Sequence, residues 1–202
     1  MFHGCGVLKA LDVSTWNVGK VINMSSLFHG CKTLKELEVS NWNTTSAETM
    51  ANLFNGCSGL TSLDLSSFDT SNVETVASMF SGCSCDIVFT NKVTNKLTSV
   101  FSMFNVYYGT SIDLSGFSIA KSTNNNNFIT IANSLVNLKA PSNINKSINI
   151  TADNLSVESL LSIIDNLSSV AKTQILTIGE VNIAKLSEEQ IAVALNKNWT
   201  LM

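Results

Sequence analysis

The chain has 202 residues, 45% of them hydrophobic and 13% charged, with a formal net charge of −3 at pH 7. All 12 basic residues are lysines, so the clustered positive charge and arginine forks that grip phosphate and guanine are missing, and nucleic acid is not expected as a partner. No apolar run reaches the ~18–20 residues of a membrane-spanning helix, and no basic start followed by an apolar stretch marks a signal peptide, so neither membrane insertion nor a leader is expected.

From Phe2 to Cys85 the chain repeats itself every 26 residues, marked by Phe2, Phe28, Phe54 and Phe80 and by Cys5, Cys31, Cys57 and Cys83. Other positions keep the same step, among them Leu8/Leu34/Leu60, Leu11/Leu37/Leu63, Trp16/Trp42/Phe68 and Met24/Met50/Val76. One such unit cannot bury its own apolar face, whereas stacked units can, so the period implies a solenoid. The alternation in Leu11–Ser14, Leu37–Ser40 and Leu63–Ser66 predicts short strands, with Leu11 and Val13 inward and Asp12 and Ser14 outward. A polar turn follows. Then Ala47, Met50, Ala51 (or Leu53) and Phe54, at three- and four-residue steps, predict a short helix closed by a glycine at the place of Gly30, Gly56 and Gly82. The chain opens part-way through a unit, so the first strand is expected without the N-terminal cap that stacked repeats normally carry: either the polypeptide is a fragment of a longer protein, or something else covers that face.

The repeat loosens after Cys85. Val100–Phe104 matches the end of the unit, and Ile112–Phe117 is again a strand and turn, equivalent to Leu63–Phe68. Asn124–Asn127 reads as an exposed turn. Phe128 to Leu135 predicts a short helix, and Val136–Leu138 and Ile148–Ile150 predict strands on either side of the only proline, Pro141. In the last fifty residues, Ser156 can cap a helix bearing Val157, Leu160, Leu161, Ile164 and Leu167 on one face. Ile175–Ile178 predicts a strand, Ser187-Glu188-Glu189-Gln190 a capping box, and Trp199–Leu201 a final strand. The expected architecture is therefore α/β. Parallel strands and short helices build a solenoid over residues 1–150, regular to about 117, and a helix–strand cap covers 151–202.

The phrase Met24-x-x-Leu27-Phe28-x-Gly30-Cys31-x-x-Leu34-x-x-Leu37-x-Val39-Ser40-x-Trp42-Asn43-Thr44 resembles the BspA-like leucine-rich repeat of bacterial surface proteins, over residues 1 to about 117. The resemblance implies a right-handed, curved solenoid with adhesive roles. It carries over no catalytic or ligand residues. The tail, with Leu155–Leu161, Ala184–Ala192 and Asn198–Leu201, is similar to the C-termini of phage tail and tail-fibre-associated proteins that carry such repeats.

Neither an enzyme signature nor a cofactor motif is present, and no metal site is expected. His3 and His29 share one repeat position, which Asn55 and Ser81 take in later units, so it reads as a polar site at a unit's end. The cysteines read as a packed thiol column, although neighbouring units bring equivalent Cα atoms within disulfide range. The candidate ligand-binding face is the outward line of Asp12, Glu38, Asp64 and Asp113. Beside it lie Ser14, Ser40 and Ser66 on one side and Glu36 on the other. Like charges one strand apart repel, so the line either contacts cations such as calcium, hydrogen-bonds neighbouring Ser or Thr as a solvated structural row, or meets a partner rich in basic or hydroxyl groups. Tyr107 and Tyr108 make a candidate contact loop, and Cys85–Lys96 and Asn124–Asn127 are further places for specificity. The Trp16/Trp42/Phe68/Phe117 column favours core packing over sugar stacking. The expected function is non-enzymatic recognition of a cell-surface glycan or protein, outside the cell. The chain would be a phage tail or receptor-binding component, trimeric if a tail fibre, or else a bacterial surface adhesin; an intracellular scaffold is a third possibility.

Overall fold

The computed structural model describes residues 1–89 and 94–202. It is a mixed α/β structure with parallel strands in two sheets and a few short helices. The short strands β1 (Ile87–Val88), β3 (Ser111–Asp113) and β5 (Asn137–Lys139) form one sheet, in that order. The other runs β2 (Phe104–Asn105), β4 (Ile129–Thr130), β6 (Ile148–Thr151), β7 (Gln174–Thr177), β8 (Trp199–Leu201). All these pairings are parallel.

The repeating side chains meet one another across successive units. Phe2, Phe28, Phe54 and Phe80 stack with ring centroids 5.9–6.0 Å apart. Trp16, Trp42 and Phe68 stack at 6.4 Å. Trp42, Phe68 and Phe117 are buried, and the Trp42 indole N–H donates to the Val13 carbonyl at 3.1 Å, so this column is core, as its replacement by phenylalanine suggested. Leu34, Leu60, Met50, Val76 and the thiols of Cys31, Cys57 and Cys83 fill the same interior. From the second unit on, most of the side chains that a lone unit would expose are thus covered by their counterparts, while Phe2, Leu8, Leu11 and Trp16 of the first are only partly buried.

The helix expected in each unit is not there. Among the described residues of 1–156, no helix forms. The N–H groups of Met24, Ser26, Phe28 and Gly30 instead cross to the carbonyls of Thr49, Ala51, Leu53 and Asn55 at 2.7–3.0 Å, and those of Met50, Asn52, Phe54 and Gly56 cross in turn to Thr75, Ala77, Met79 and Ser81. The alternate N–H groups of Leu27, His29 and Cys31 turn back three residues within the unit. Ser26, Asn52 and Ser78 have φ of 55–58°, and Gly30, Gly56 and Gly82 have φ of 72–77°. Left-handed residues at these places cannot extend a right-handed helix. The apolar spacing read as helical comes from consecutive tight turns.

Strands are also absent at Leu11–Ser14, Leu37–Ser40 and Leu63–Ser66. There, the backbone N–H groups of Ser14, Ser40 and Ser66 are taken by the carboxylates of Asp12, Glu38 and Asp64 at 2.8–3.0 Å. A side chain that caps a nearby N–H withdraws it from any ladder. Side-chain bonds join the units on this side, such as Thr33 Oγ1 to Leu8 O at 2.9 Å and Ser67 Oγ to Val39 O at 3.2 Å. Regular pairing starts at β1.

Asn124–Asn127 is not a free turn. The N–H groups of Val100, Ser102 and Phe104 reach the carbonyls of Asn124, Asn126 and Phe128 at 3.0–3.1 Å. The run is therefore one more copy of the tight-turn segment, in which Asn127 (φ 52°) matches Ser102 (φ 52°). Asn125 falls at the inward place of Val100 and is buried, while its three neighbours are exposed. The helix expected over 128–135 is β4, ended by Ile131 at φ 53°.

The C-terminal elements match their sequence signals. Ser156 accepts from Ser159 N at the start of α1 (Val157–Asn166), and Ser187 and Gln190 form the capping box of α3 (Glu188–Asn196). A one-turn helix, α2 (Glu180–Ile183), lies between β7 and α3. The inward face of α1 is Ser159, Leu160, Ile163 and Ile164, with Val157 exposed. Lys197 Nζ donates to the carbonyls of Ile164 and Asp165 at 3.0 Å, satisfying the electronegative end of α1. No helix among the described residues is long and apolar enough to cross a membrane.

Candidate functional site

The outward line exists, but its groups are already engaged. Asp12 accepts from the Ser14 N–H at 3.0 Å and hydroxyl at 2.6 Å; Glu38 accepts from the N–H (2.9 Å) and hydroxyl of Ser40. Asp64 and Asp113 accept from the N–H groups of Ser66 (2.8 Å) and Ser115 (2.9 Å). The serine hydroxyls hold the Asp12 and Glu38 carboxyls below the usual range. Asp64 is near enough to push Glu38 slightly the other way. At Asp113, burial raises the carboxyl, but the Lys139 ammonium at 2.7 Å and Ser115 outweigh it and the net shift is downward. Asp12, Glu36, Glu38 and Asp64 are exposed, and the Asp113 side chain is mostly covered.

Three residues join this face that the sequence did not place in line with it, although Asp86 and Val88 fall within the Cys85–Lys96 stretch singled out for specificity. Val88 pairs with Asp113, and Asp113 with Lys139, so the line gains an exposed valine before Asp113 and a lysine after it. Asp86 accepts from the N–H groups of both Thr110 and Ser111 at 2.9 Å, bridging two units. The register after Cys85 slips from 26 residues to 25 (Val88 to Asp113) and back to 26 (Asp113 to Lys139), which hid them from a strict count.

Only half of the expected contact loop is available. Tyr107 is buried, with its hydroxyl in reach of the carbonyls of Cys85 (2.7 Å) and Ser111 (3.0 Å) and its ring edge-on to Phe104 at 5.5 Å. Burial pushes its phenol well above the usual value. A Cβ on Gly109 would lie 2.3 Å from the Tyr107 hydroxyl oxygen, so the glycine is what lets the ring fold inward. Tyr108 is exposed. Of Cys85–Lys96, Cys85 is buried, and residues 90–93 lie outside the described residues.

The thiols tie units together. Cys31, Cys57 and Cys83 donate to the carbonyls of Phe2, Phe28 and Phe54 at 3.1–3.3 Å, and all five cysteines are free. Burial pushes the Cys57 thiol up to about 12 and Cys85 to about 11, so neither is a ready nucleophile or ligand. His3 and His29 stack with centroids 4.5 Å apart. Among the described residues no three His, Cys, Asp or Glu side chains gather as a metal site would require. A cleft of about 530 Å³ beside the first unit is lined by Met1, Trp16, Val18, Val21, Met24 and Leu27.

Residues 1–117, the span of the clear repeats, match the family described as Mycoplasma protein of unknown function, DUF285. This chain belongs to that family. The DUF285 segment takes in Asp12, Glu38, Asp64 and Asp113 together with both tyrosines, and ends at Phe117. Comparison with curated proteins and with solved structures returns no match.

Proposed function

We propose that this protein is a non-enzymatic recognition module: a right-handed, leucine-rich-repeat-like solenoid of the BspA-like kind whose outward face contacts a glycan or protein at a cell surface. What supports the reading is the division between repeating positions. The Phe, Leu and Trp files and the thiols are largely consumed by the core, whereas Asp12, Glu36, Glu38 and Asp64 are exposed, with Ser14, Ser40, Ser66 and Asp113 among them. Carboxylate oxygens held in line by serine caps suit a partner that repeats hydroxyl or amine donors, and the caps lower the cost of ordering them on contact. The tail's likeness to phage tail-associated proteins favours a phage tail or receptor-binding component. The family description, which names Mycoplasma proteins, favours the second reading, a cell-surface adhesin of a bacterium.

Pull-down of the purified protein on intact bacterial cells and on extracted surface polysaccharide tests the first reading, and binding to animal-cell protein or glycan arrays the second. The triple variant Asp12→Asn, Glu38→Gln, Asp64→Asn should lose at least tenfold in affinity, about 1.4 kcal/mol. Retention of full affinity by the triple variant would move the site off this face. No binding to any cell fraction would remove both readings.

A further inference from the structure

We infer that the stacked pair His3–His29 makes the seam between the first two units open in mild acid. The two imidazoles occupy the same place in successive units, with centroids 4.5 Å apart and planes 21° from parallel. They sit directly on the bonds that close the seam. Phe2 N donates to Leu27 O at 2.9 Å, Gly4 N to the carbonyl of His29 itself at 2.7 Å, and Cys31 Sγ to Phe2 O at 3.3 Å. Neutral imidazoles stack without penalty. Two imidazolium ions at that distance repel, and Coulomb's law with an effective dielectric between bulk water and the protein surface makes the penalty roughly a five- to five-hundred-fold factor in the opening equilibrium.

Among the described residues, no carboxylate acts on His29 to offset the charge. The next residue in the file is Asn55, neutral and donating to Asn52 Oδ1 at 3.0 Å. Cys31, two residues along, is held neutral by burial. The nearest charged residue in sequence is Lys32, which adds positive charge. Burial and the charge of His3 depress the His29 imidazole, and no carboxylate contributes to its surroundings. A base whose folded pKa is depressed favours the folded state above its unfolded value and loses that advantage as pH falls below it, so the seam is closed at neutral pH and weakens below about pH 6.5. Stacked units touch only their neighbours, so the opening is local.

Hydrogen exchange reads the seam directly. Protection of the Phe2 and Gly4 amides, corrected for the intrinsic pH dependence of exchange, should fall about tenfold between about pH 7.5 and about pH 5. The Gly56 amide, bonded to Ser81 O at 2.7 Å in a later seam that lacks histidine, should keep its protection. His29→Asn, which places there the residue that position 55 already carries, should abolish the fall. Equal protection of Gly4 at both pH values in the unaltered protein overturns the proposal, as does a fall that persists in His29→Asn. Should that variant already be open at neutral pH, His3→Asn gives the same reading with the second unit untouched.

Discussion

Replacing Asn125 with leucine should stabilise the protein. Asn125 continues the inward file of Met24, Met50, Val76 and Val100, and it is 2% exposed. Neither its Nδ2 nor its Oδ1 has a hydrogen-bond partner. An amide buried without a partner costs about 1–3 kcal/mol in mutational terms, and leucine branches at the same carbon with somewhat bulkier ends, so the exchange removes the penalty without opening a cavity. A gain of about 1–3 kcal/mol corresponds to roughly 2–12 °C in a domain of this size. Thermal melting followed by circular dichroism, with urea unfolding as a second measure, checks it. Asn125→Val, matching the two preceding residues of the file, separates the polar effect from overpacking. If both variants melt at or below the temperature of the parent protein, the amide is paired in solution and the reasoning fails.

Ile131→Gly should also stabilise, by about 0.5–1 kcal/mol in the same melts. Isoleucine at φ 53° takes the place held by Gly30, Gly56 and Gly82, and at 62% exposure it has little burial to lose. The left-handed penalty of about 1–2 kcal/mol for a side chain exceeds the extra unfolded-state entropy of glycine. A drop in melting temperature would show that its side chain makes contacts that outweigh the strain. Cys57 should resist alkylation in the native state. With its thiol raised to about 12, ionisation at about pH 8 is roughly a thousandfold below that of an ordinary thiol, so peptide-mapped labelling should appear only in denaturant. Labelling of folded protein at the free-peptide rate would contradict the buried column.

The candidate face was partly readable before the fold. Asp12, Glu38 and Asp64 could be placed in line because the 26-residue step is regular and alternation separates inward from outward side chains. Hydrogen bonding of these carboxylates to neighbouring Ser or Thr was one of the outcomes the sequence left open, and the Asp-x-Ser and Glu-x-Ser spacing is the local signal that favours it. Val88 and Lys139 were hidden because the count changes where the repeat loosens. Tyr107 and Tyr108 are adjacent and chemically alike, yet one is core and one is surface. Only packing against Phe104, Cys85 and Gly109 separates them.

The sequence by itself determined the stacking register, the inward files and the capped helices α1 and α3, because those depend on period and on side chains a few residues apart. The tertiary structure alone decided what the backbone does between those marks. A run of apolar residues at three- and four-residue steps can send its N–H groups four residues back along a helix or sideways to the next unit, and either satisfies them. The neighbouring unit is present to accept at 2.7–3.1 Å, and Ser26, Asn52 and Ser78 go left-handed to meet it. The same competition removes the strands at Leu11–Ser14 and its equivalents, where a carboxylate two residues away reaches the donor before another unit can.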